Sequence, residues 1–314
     1  MAQGTTSSIV WGNYFEGRFL WALEELSKPS WIDKIAATFS SDQPSEDYRW
    51  LGQSPGLREW VGGRQEKTLR SQTYSLANKT WEATLGLDTD DLRRQKFNQI
   101  NTRIDELAAR AIQHKASLLT TLIAEGDAAT YTNAYDGNTF WNNSHSVGSS
   151  GTIDNNLTLN ISGTPAAPTA AEMEAAIIDS TEALMGFNDD QGEPLNTEAR
   201  SFLVMCPVNM MGAVAGALNT QIIADTGGGR TNVIAALGGW SFEWVVNPRL
   251  SDTDVFYMFR TDASVKPFIY QTEKEPVSQT LDDSFRNHRM LFGVEASYNF
   301  GYGYFQQAVK MQLT

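Results

Sequence analysis

The chain has 314 residues, of which 41% are hydrophobic and 19% charged, and it carries a formal net charge of −13. This composition excludes intrinsic disorder and fibrous repeats, and the acidic excess disfavours direct nucleic-acid binding, which needs clustered Lys and Arg to neutralise phosphates. The longest apolar stretch, 210–218, is far short of the roughly 20 residues that span a bilayer, and no signal peptide follows Met1, so the sequence predicts a cytoplasmic chain.

Charge is distributed unevenly along the chain. Residues 127–200 contain eleven acidic residues and one basic residue, whereas residues 58–79 contain five basic and two acidic residues. A strongly acidic part and a locally basic part in one chain favour electrostatic contacts between copies of the same protein.

The N-terminal segment, 1–48, is rich in aromatic residues but has no sustained hydrophobic period, apart from a short helix predicted over 15–26. Six of the nine tryptophans lie in the first 81 residues. We predict that Trp11, Trp21 and Trp31 anchor the segment to neighbouring subunits, because aromatic anchors dominate many interfaces. Under this prediction a chain that lacks residues 1–45 still folds. The alternative is that these tryptophans fill the core of their own chain.

Residues 49–87 are predicted to form a long, mostly polar hairpin, with extended stretches separated by glycine and asparagine turns. An exposed hairpin is marginally stable alone, so we expect something outside it to cover it. The basic members of this segment are expected to meet acidic residues of an adjacent subunit. The predicted intersubunit contacts here are Arg58, Trp60, Arg64, Lys67 and Arg70.

The clearest element is a helix predicted over 90–125. Its start has an Asp or Thr cap and acidic residues, its apolar residues follow a period of 3.6, and Gly126 follows its end. At about 1.5 Å per residue it would be on the order of 50 Å long, which indicates a structural beam. Residues 127–168 are predicted to form strands and loops.

The second half of the chain mixes helices and strands, so the fold class is α+β. A capping box from Thr169 to Glu172 predicts a helix through Leu184, and Pro207 starts a short helix to Leu218. Glycines 227–229 are predicted to form a flexible loop. Strands are predicted over 201–206, 240–246, 255–260, 268–271 and within 290–313.

Residues with catalytic potential are few and scattered. His114, His145 and His288 occur in no metal-binding spacing, and the single cysteine, Cys206, ends an apolar run that predicts a buried strand. The sequence contains neither a nucleophile elbow nor a phosphate-binding loop. We therefore predict no catalytic residue, metal or cofactor. Two alternatives are a soluble cytoplasmic hydrolase with a site near His145, and a monomeric surface-binding module whose N-terminal segment folds onto its own domain.

Several runs of distinctive residues are shared with one protein family. They are YRWLG at 48–52, PGLREWVGGR at 55–64, YSLANKTWEAT at 74–84, YDG at 135–137, FW at 140–141 with His145, KPFIYQ at 266–271, and the stretch 293–308. In these runs the chain resembles the major head subunit of Mu-like tailed phages. Between 150 and 250 only the order of elements is similar.

The resemblance implies the capsid fold of tailed phages (Hong Kong 97 type), with four parts followed by a C-terminal segment. These are an N-terminal arm over 1–48, an extended loop over 49–87, a peripheral domain with a spine helix over 88–168, and an axial domain over 169–249. Residues 250–314 then return as strands to both domains. The implied function is that of a major capsid protein, which assembles in the bacterial cytoplasm as hexamers and pentamers into an icosahedral virion shell.

The resemblance also implies partners. The first partner is another copy of the chain itself, and a separate scaffold protein is expected because no long scaffold segment precedes the arm. The same resemblance implies a portal protein and, in decorated shells, a decoration protein. Double-stranded DNA is expected to be enclosed but bound only loosely, because an acidic lining leaves it mobile. No membrane partner is expected.

Overall fold

The computed structural model describes residues 3–26, 30–48, 74–94, 96–128, 133–225, 228–283 and 288–314. The predicted hairpin residues 49–73 lie outside these ranges. The helices are α1 (Gln3–Leu26), α2 (Trp31–Ile35), α3 (Thr89–Arg93), α4 (Phe97–Ala124), α5 (Ala170–Gly186), α6 (Met211–Asn219) and α7 (Val233–Ala236). The strands are β1 (Ala36–Ser40), β2 (Ser45–Tyr48), β3 (Tyr74–Ala77), β4 (Thr80–Asp88), β5 (Asn156–Leu159), β6 (Ser201–Cys206), β7 (Ile222–Asp225), β8 (Gly228–Thr231), β9 (Ser241–Val246), β10 (Val255–Arg260), β11 (Phe268–Asp283), β12 (Arg289–Tyr302) and β13 (Ala308–Leu313).

Two β-sheets form the framework. One has four strands in the order β1-β11-β12-β4, with a parallel pair only between β1 and β11. The other has five strands in the order β5-β13-β10-β6-β9, in which β5 pairs in parallel with β13 and β9 with β6. The described parts also include two small sheets, β2 with β3 and β7 with β8. Sheets packed with separate helices confirm the predicted α+β class.

The five-stranded sheet is the centre of the larger hydrophobic core. Every residue of β10 is buried, as is typical of a central strand covered on both faces. Helix α5 packs against this sheet and has the predicted capping box, in which the side chains of Thr169 and Glu172 each accept from the other's backbone N–H. Cys206 is buried at the end of β6, and burial raises the pKa of its thiol to about 11.

A second, smaller core lies between α1, α4 and the four-stranded sheet. Phe15 and Phe19 of α1 are fully buried there, and the ring of Phe19 lies 5.9 Å from that of Phe292 in β12. Helix α1 begins well before the predicted start at residue 15. These two phenylalanines therefore pack within their own chain, which is the alternative stated for the aromatic segment.

The long helix is interrupted, in contrast to the prediction of one helix over 90–125. α3 is capped by Asp88, and α4 begins separately at Phe97. Leu92 and Phe97 do not have the three- or four-residue spacing of helix neighbours, so one continuous helix would point them in different directions. The interruption lets Leu92 enter the smaller core and lets Phe97 stack on Trp11. α4 alone has 28 residues and is about 42 Å long.

The end of α4 is capped by a tryptophan. Trp141 is almost fully buried, and its indole N–H donates to the carbonyl oxygen of Ile123 at 2.7 Å. A Cβ at Gly126 would lie 2.7 Å from the indole ring. Gly126 therefore follows the helix as predicted, but it is required for the approach of Trp141 rather than for a left-handed backbone.

Two predictions about loops and strand lengths need correction. Of the predicted flexible loop 227–229, Gly227 lies outside the described residues, whereas Gly228 and Gly229 belong to β8 and pair with β7. The described part of 127–168 agrees with the predicted strands and loops, because it contains β5 and two isolated bridges within irregular loops. The strand predicted over 268–271 is the start of β11, which has 16 residues.

Candidate functional site

The three tryptophans predicted to contact neighbours differ in exposure. Trp11 stacks on Phe97, and Trp31 packs against the larger core, so both are partly buried within their own chain. Trp21 is 53% exposed. The alternative that these tryptophans pack within their own chain therefore holds for Trp11 and Trp31. The contact of the exposed Trp21 with a neighbouring subunit stays a prediction.

Helix α1 has an exposed apolar side opposite its buried one. Val10, Tyr14 and Trp21 lie on one stripe of the helix because their spacing is four and then seven residues. All three are about half exposed. Gly17 lies in the same stripe, and nothing is within 4 Å of the position that its Cβ would take. We call these four residues, Val10, Tyr14, Gly17 and Trp21, the α1 stripe.

Arg18 fixes the position of Trp21. Its guanidinium lies 4.5 Å from the centroid of the Trp21 ring, and its Nε and Nη2 donate to the carboxylate of Asp105 at 2.8 and 2.5 Å. The hydrogen bonds with Asp105 raise the pKa of Arg18. Because Asp105 belongs to α4, the exposed indole is held by contacts to a rigid helix, and an ordered side chain loses less entropy on binding.

The five predicted contacts of the extended segment, Arg58, Trp60, Arg64, Lys67 and Arg70, lie outside the described residues. Tyr48 and Tyr74, which flank this segment, are paired in the β2–β3 sheet. The segment therefore leaves and re-enters the described fold at neighbouring positions.

His145, the residue with the most catalytic potential in the sequence, is fully buried beside Asp136. Its Nδ1 lies 2.6 Å from the Asp136 carboxylate, its Nε2 lies 3.1 Å from the carbonyl oxygen of Phe140, and its ring stacks on Phe305. Both ring nitrogens thus lie within hydrogen-bond distance of an oxygen atom. No face of the imidazole is left for a substrate, and the hydrolase interpretation is not supported.

Asp136 is held ionised by its neighbours. Burial alone would raise the pKa of its carboxyl group, but the hydrogen bond and charge of His145, with hydrogen bonds from Asn138, outweigh burial and lower that pKa. The pair fastens the loop that contains Asp136 to the one that contains His145. Its role is therefore structural.

The other histidines are not brought near this pair. Nδ1 of His114 lies 2.8 Å from the Tyr298 hydroxyl, and burial lowers the pKa of His114. His288 is exposed next to the start of β12. Within the described ranges, no group of three or more His, Cys, Asp and Glu side chains could hold a metal ion. The helices that the structure describes include none that could cross a membrane.

Comparison with known sequences places the chain among phage head proteins. A family model described as Mu-like prophage major head subunit gpT matches residues 12–170 and 240–314. The major capsid protein of Escherichia phage Mu is 33% identical over 137 residues, which are 44% of this chain and 42% of that protein. The Mu-like prophage FluMu major head subunit of Haemophilus influenzae is 25% identical over 293 residues, 91% of this chain and 68% of that protein. The match to the phage Mu protein thus spans less than half of that relative.

Solved structures share the fold. The procapsid protein of bacteriophage JBD30 has a TM-score of 0.56 and 22% identity, and the match covers 99% of this chain and 76% of that one. The mature capsid of bacteriophage PhiM1 has a TM-score of 0.54 and 13% identity, covering 92% and 88%. These similarities confirm the predicted fold, that of tailed-phage capsid proteins. Because the family model matches most of its length, the chain belongs to the family of Mu-like prophage major head subunits.

Proposed function

We propose that this chain is the major capsid protein of a Mu-like phage or prophage, whose copies assemble as hexamers and pentamers into an icosahedral shell around double-stranded DNA. The family match over 12–170 and 240–314 carries the proposal. The proposed location is the virion, after assembly in the host cytoplasm with a scaffold protein, a portal and, where the shell is decorated, a decoration protein. The net charge of −13 supports a lining that holds DNA only loosely.

We assign the peripheral domain to the four-stranded sheet with α4, and the axial domain to the five-stranded sheet with α5 and α6. Three segments then differ from the boundaries that the resemblance implies. β1, from the proposed arm, and β4, from the proposed extended loop, belong to the peripheral sheet, because they pair with β11 and β12. β5 belongs to the axial sheet, because it pairs with β13. The proposed arm is therefore chiefly α1, and the proposed loop is centred on 49–73.

Trp21 is proposed to anchor α1 to a neighbouring subunit. In a Trp21→Ser variant we expect a folded subunit that stalls as free subunits or capsomers, because truncating such an anchor costs about 2 kcal/mol or more at an interface. Sedimentation velocity measures assembly, and circular dichroism measures folding. Leu20→Ser is the matched control, since Leu20 is equally exposed but lies outside the α1 stripe. Normal shells from Trp21→Ser would show that the α1 stripe is not an assembly contact.

The basic residues of 49–73 are proposed to meet acidic residues of an adjacent subunit. Exposed ion pairs contribute only about 0–1 kcal/mol each, but a closed shell repeats every contact many times. The double variant Arg64→Glu and Lys67→Glu is therefore expected to fold but not to form shells. Assembly can be followed by light scattering at low and high salt. Shells that form normally under both conditions would contradict an electrostatic role.

A further inference from the structure

One edge of the four-stranded sheet is open beside a groove. β4 pairs with β12 along one side, and no strand among the described residues pairs with its other side. A groove of about 520 Å³ lies between β4 and α4 and is lined by the consecutive residues 81–85. Because side chains alternate between the two faces of a strand, consecutive lining residues indicate that the backbone of β4 itself faces the groove.

The walls of the groove are mainly apolar. Trp81, Ala83 and Leu85 share the face of β4 that is directed towards α4, where Leu107 and Ala111 also line the groove. Trp81 and Leu85 are partly buried against the two cores, but Ala83 between them is exposed. The inner face of β4 is therefore left uncovered above Ala83. A side chain that enters from the open edge would fill this space.

One positive charge in the groove has no partner in the part of the chain that the structure describes. Arg103 and Glu106 of α4 pair with each other at 3.0 Å, and Glu82 belongs to the opposite face of β4, across from Glu295 of β12. Arg110 also lines the groove and is exposed, and it has no ion pair or hydrogen bond with any described residue. With respect to the described residues, Arg110 is therefore a cation without a partner on the helix wall, open to an incoming segment.

We propose that an acidic, extended segment of a partner protein adds to the sheet as a strand beside β4. The open backbone of β4 supplies hydrogen bonds, and the groove receives alternate side chains of the segment, as in other cases of strand addition. Arg110 selects a carboxylate at the position above Ala83. Residues 49–73 of a second copy fit less well, because they contain five basic and two acidic residues. The inference does not depend on shell assembly and goes beyond the proposed function.

The test uses the full chain and labelled synthetic peptides in fluorescence anisotropy. The probe is acetylated Thr-Ile-Thr-Glu-Thr-Ile-Thr-amide, in which both Ile side chains and the Glu share one face of a strand. We expect this peptide to bind, and a peptide with Lys in place of Glu to bind about fivefold more weakly, the limit for an exposed ion pair. In an Arg110→Glu variant the order of the two peptides should reverse. Arg110 is exposed, so this variant tests the charge without disturbing the core.

A second pair of variants tests the groove itself. Ala83→Phe should fill the groove and abolish binding of both peptides. Thr80→Phe, on the opposite face of β4 and outside the groove lining, should leave binding unchanged. A probe in which prolines replace two Thr residues should lose binding, because proline cannot donate a backbone hydrogen bond. Three results would overturn the proposal: no binding of the acidic probe, equal binding of the Glu and Lys peptides, or tighter binding of a 49–73 peptide, which would assign the groove to a second copy.

Discussion

Replacing both Phe15 and Phe19 by alanine is expected to lower the free energy of unfolding by several kcal/mol and to detach α1 from the body of the chain. Both rings are fully buried between α4 and β12, and each Phe→Ala change in a core costs about 3–5 kcal/mol. Chemical denaturation followed by circular dichroism measures the loss. Leu20→Ala on the same helix is the control and should change stability by only about 0.5 kcal/mol, because Leu20 is exposed. Equal stability of the two variants would contradict the packing of α1.

The same packing changes the result expected from truncation. A chain without residues 1–45 would expose the smaller core, including Ile104 and Phe292, and would also lose β1 from the edge of the four-stranded sheet. We therefore expect this truncation to aggregate, in contrast to the sequence-based prediction that it folds. The sequence obscured this dependence because α1 carries aromatic residues on its buried and its exposed sides, which weakens the periodic signal.

Asp136→Asn is expected to lower stability by about 3–5 kcal/mol, the cost of removing one partner from a buried ion pair. His145 is fully buried, and Asp136 is the carboxylate that its Nδ1 contacts. Thermal and chemical unfolding measure the change. Glu198→Gln is a suitable control, because it removes an exposed carboxylate from the same acidic part of the sequence. If Asp136→Asn were as stable as this control, the contact between Asp136 and His145 would contribute nothing to stability.

The pH dependence of the same variant tests the charge of Asp136. The pKa of this carboxyl group is lowered in the folded chain from its ordinary value of 3.8. Ionised Asp136 therefore contributes to the free energy of unfolding above pH 3.8, and this contribution is lost as pH falls through the lowered pKa. The difference in stability between the wild type and Asp136→Asn should therefore shrink as pH falls below 3.8. A difference that is constant with pH would mean that the lowered pKa is not what stabilises the loop.

Elements with strong local signals could be predicted from the sequence. The strand over 255–260 begins with five consecutive apolar residues, and α5 begins at a capping box. Both elements could therefore be predicted without information from distant residues. The extent of β11 could not be predicted, because acidic residues and Pro276 follow its apolar start. The strand continues through register shifts between Thr272 and Val277, where it remains paired with β12.

The functional features depend on contacts between distant segments, and the sequence carries little signal for them. Trp21 is oriented by Arg18 and Asp105, which lie on two different helices. The groove beside β4 exists only because the sheet ends there and α4 crosses its inner face. The pattern Asp136-Gly137 predicts a turn, and only the fold brings Asp136 to His145.

Electron microscopy of this chain, expressed together with its phage scaffold protein, tests the proposed function most directly. The proposed function predicts closed particles of uniform diameter whose surface is a lattice of hexamers and pentamers. Free subunits, or irregular aggregates without closed particles, in the presence of the scaffold would contradict it.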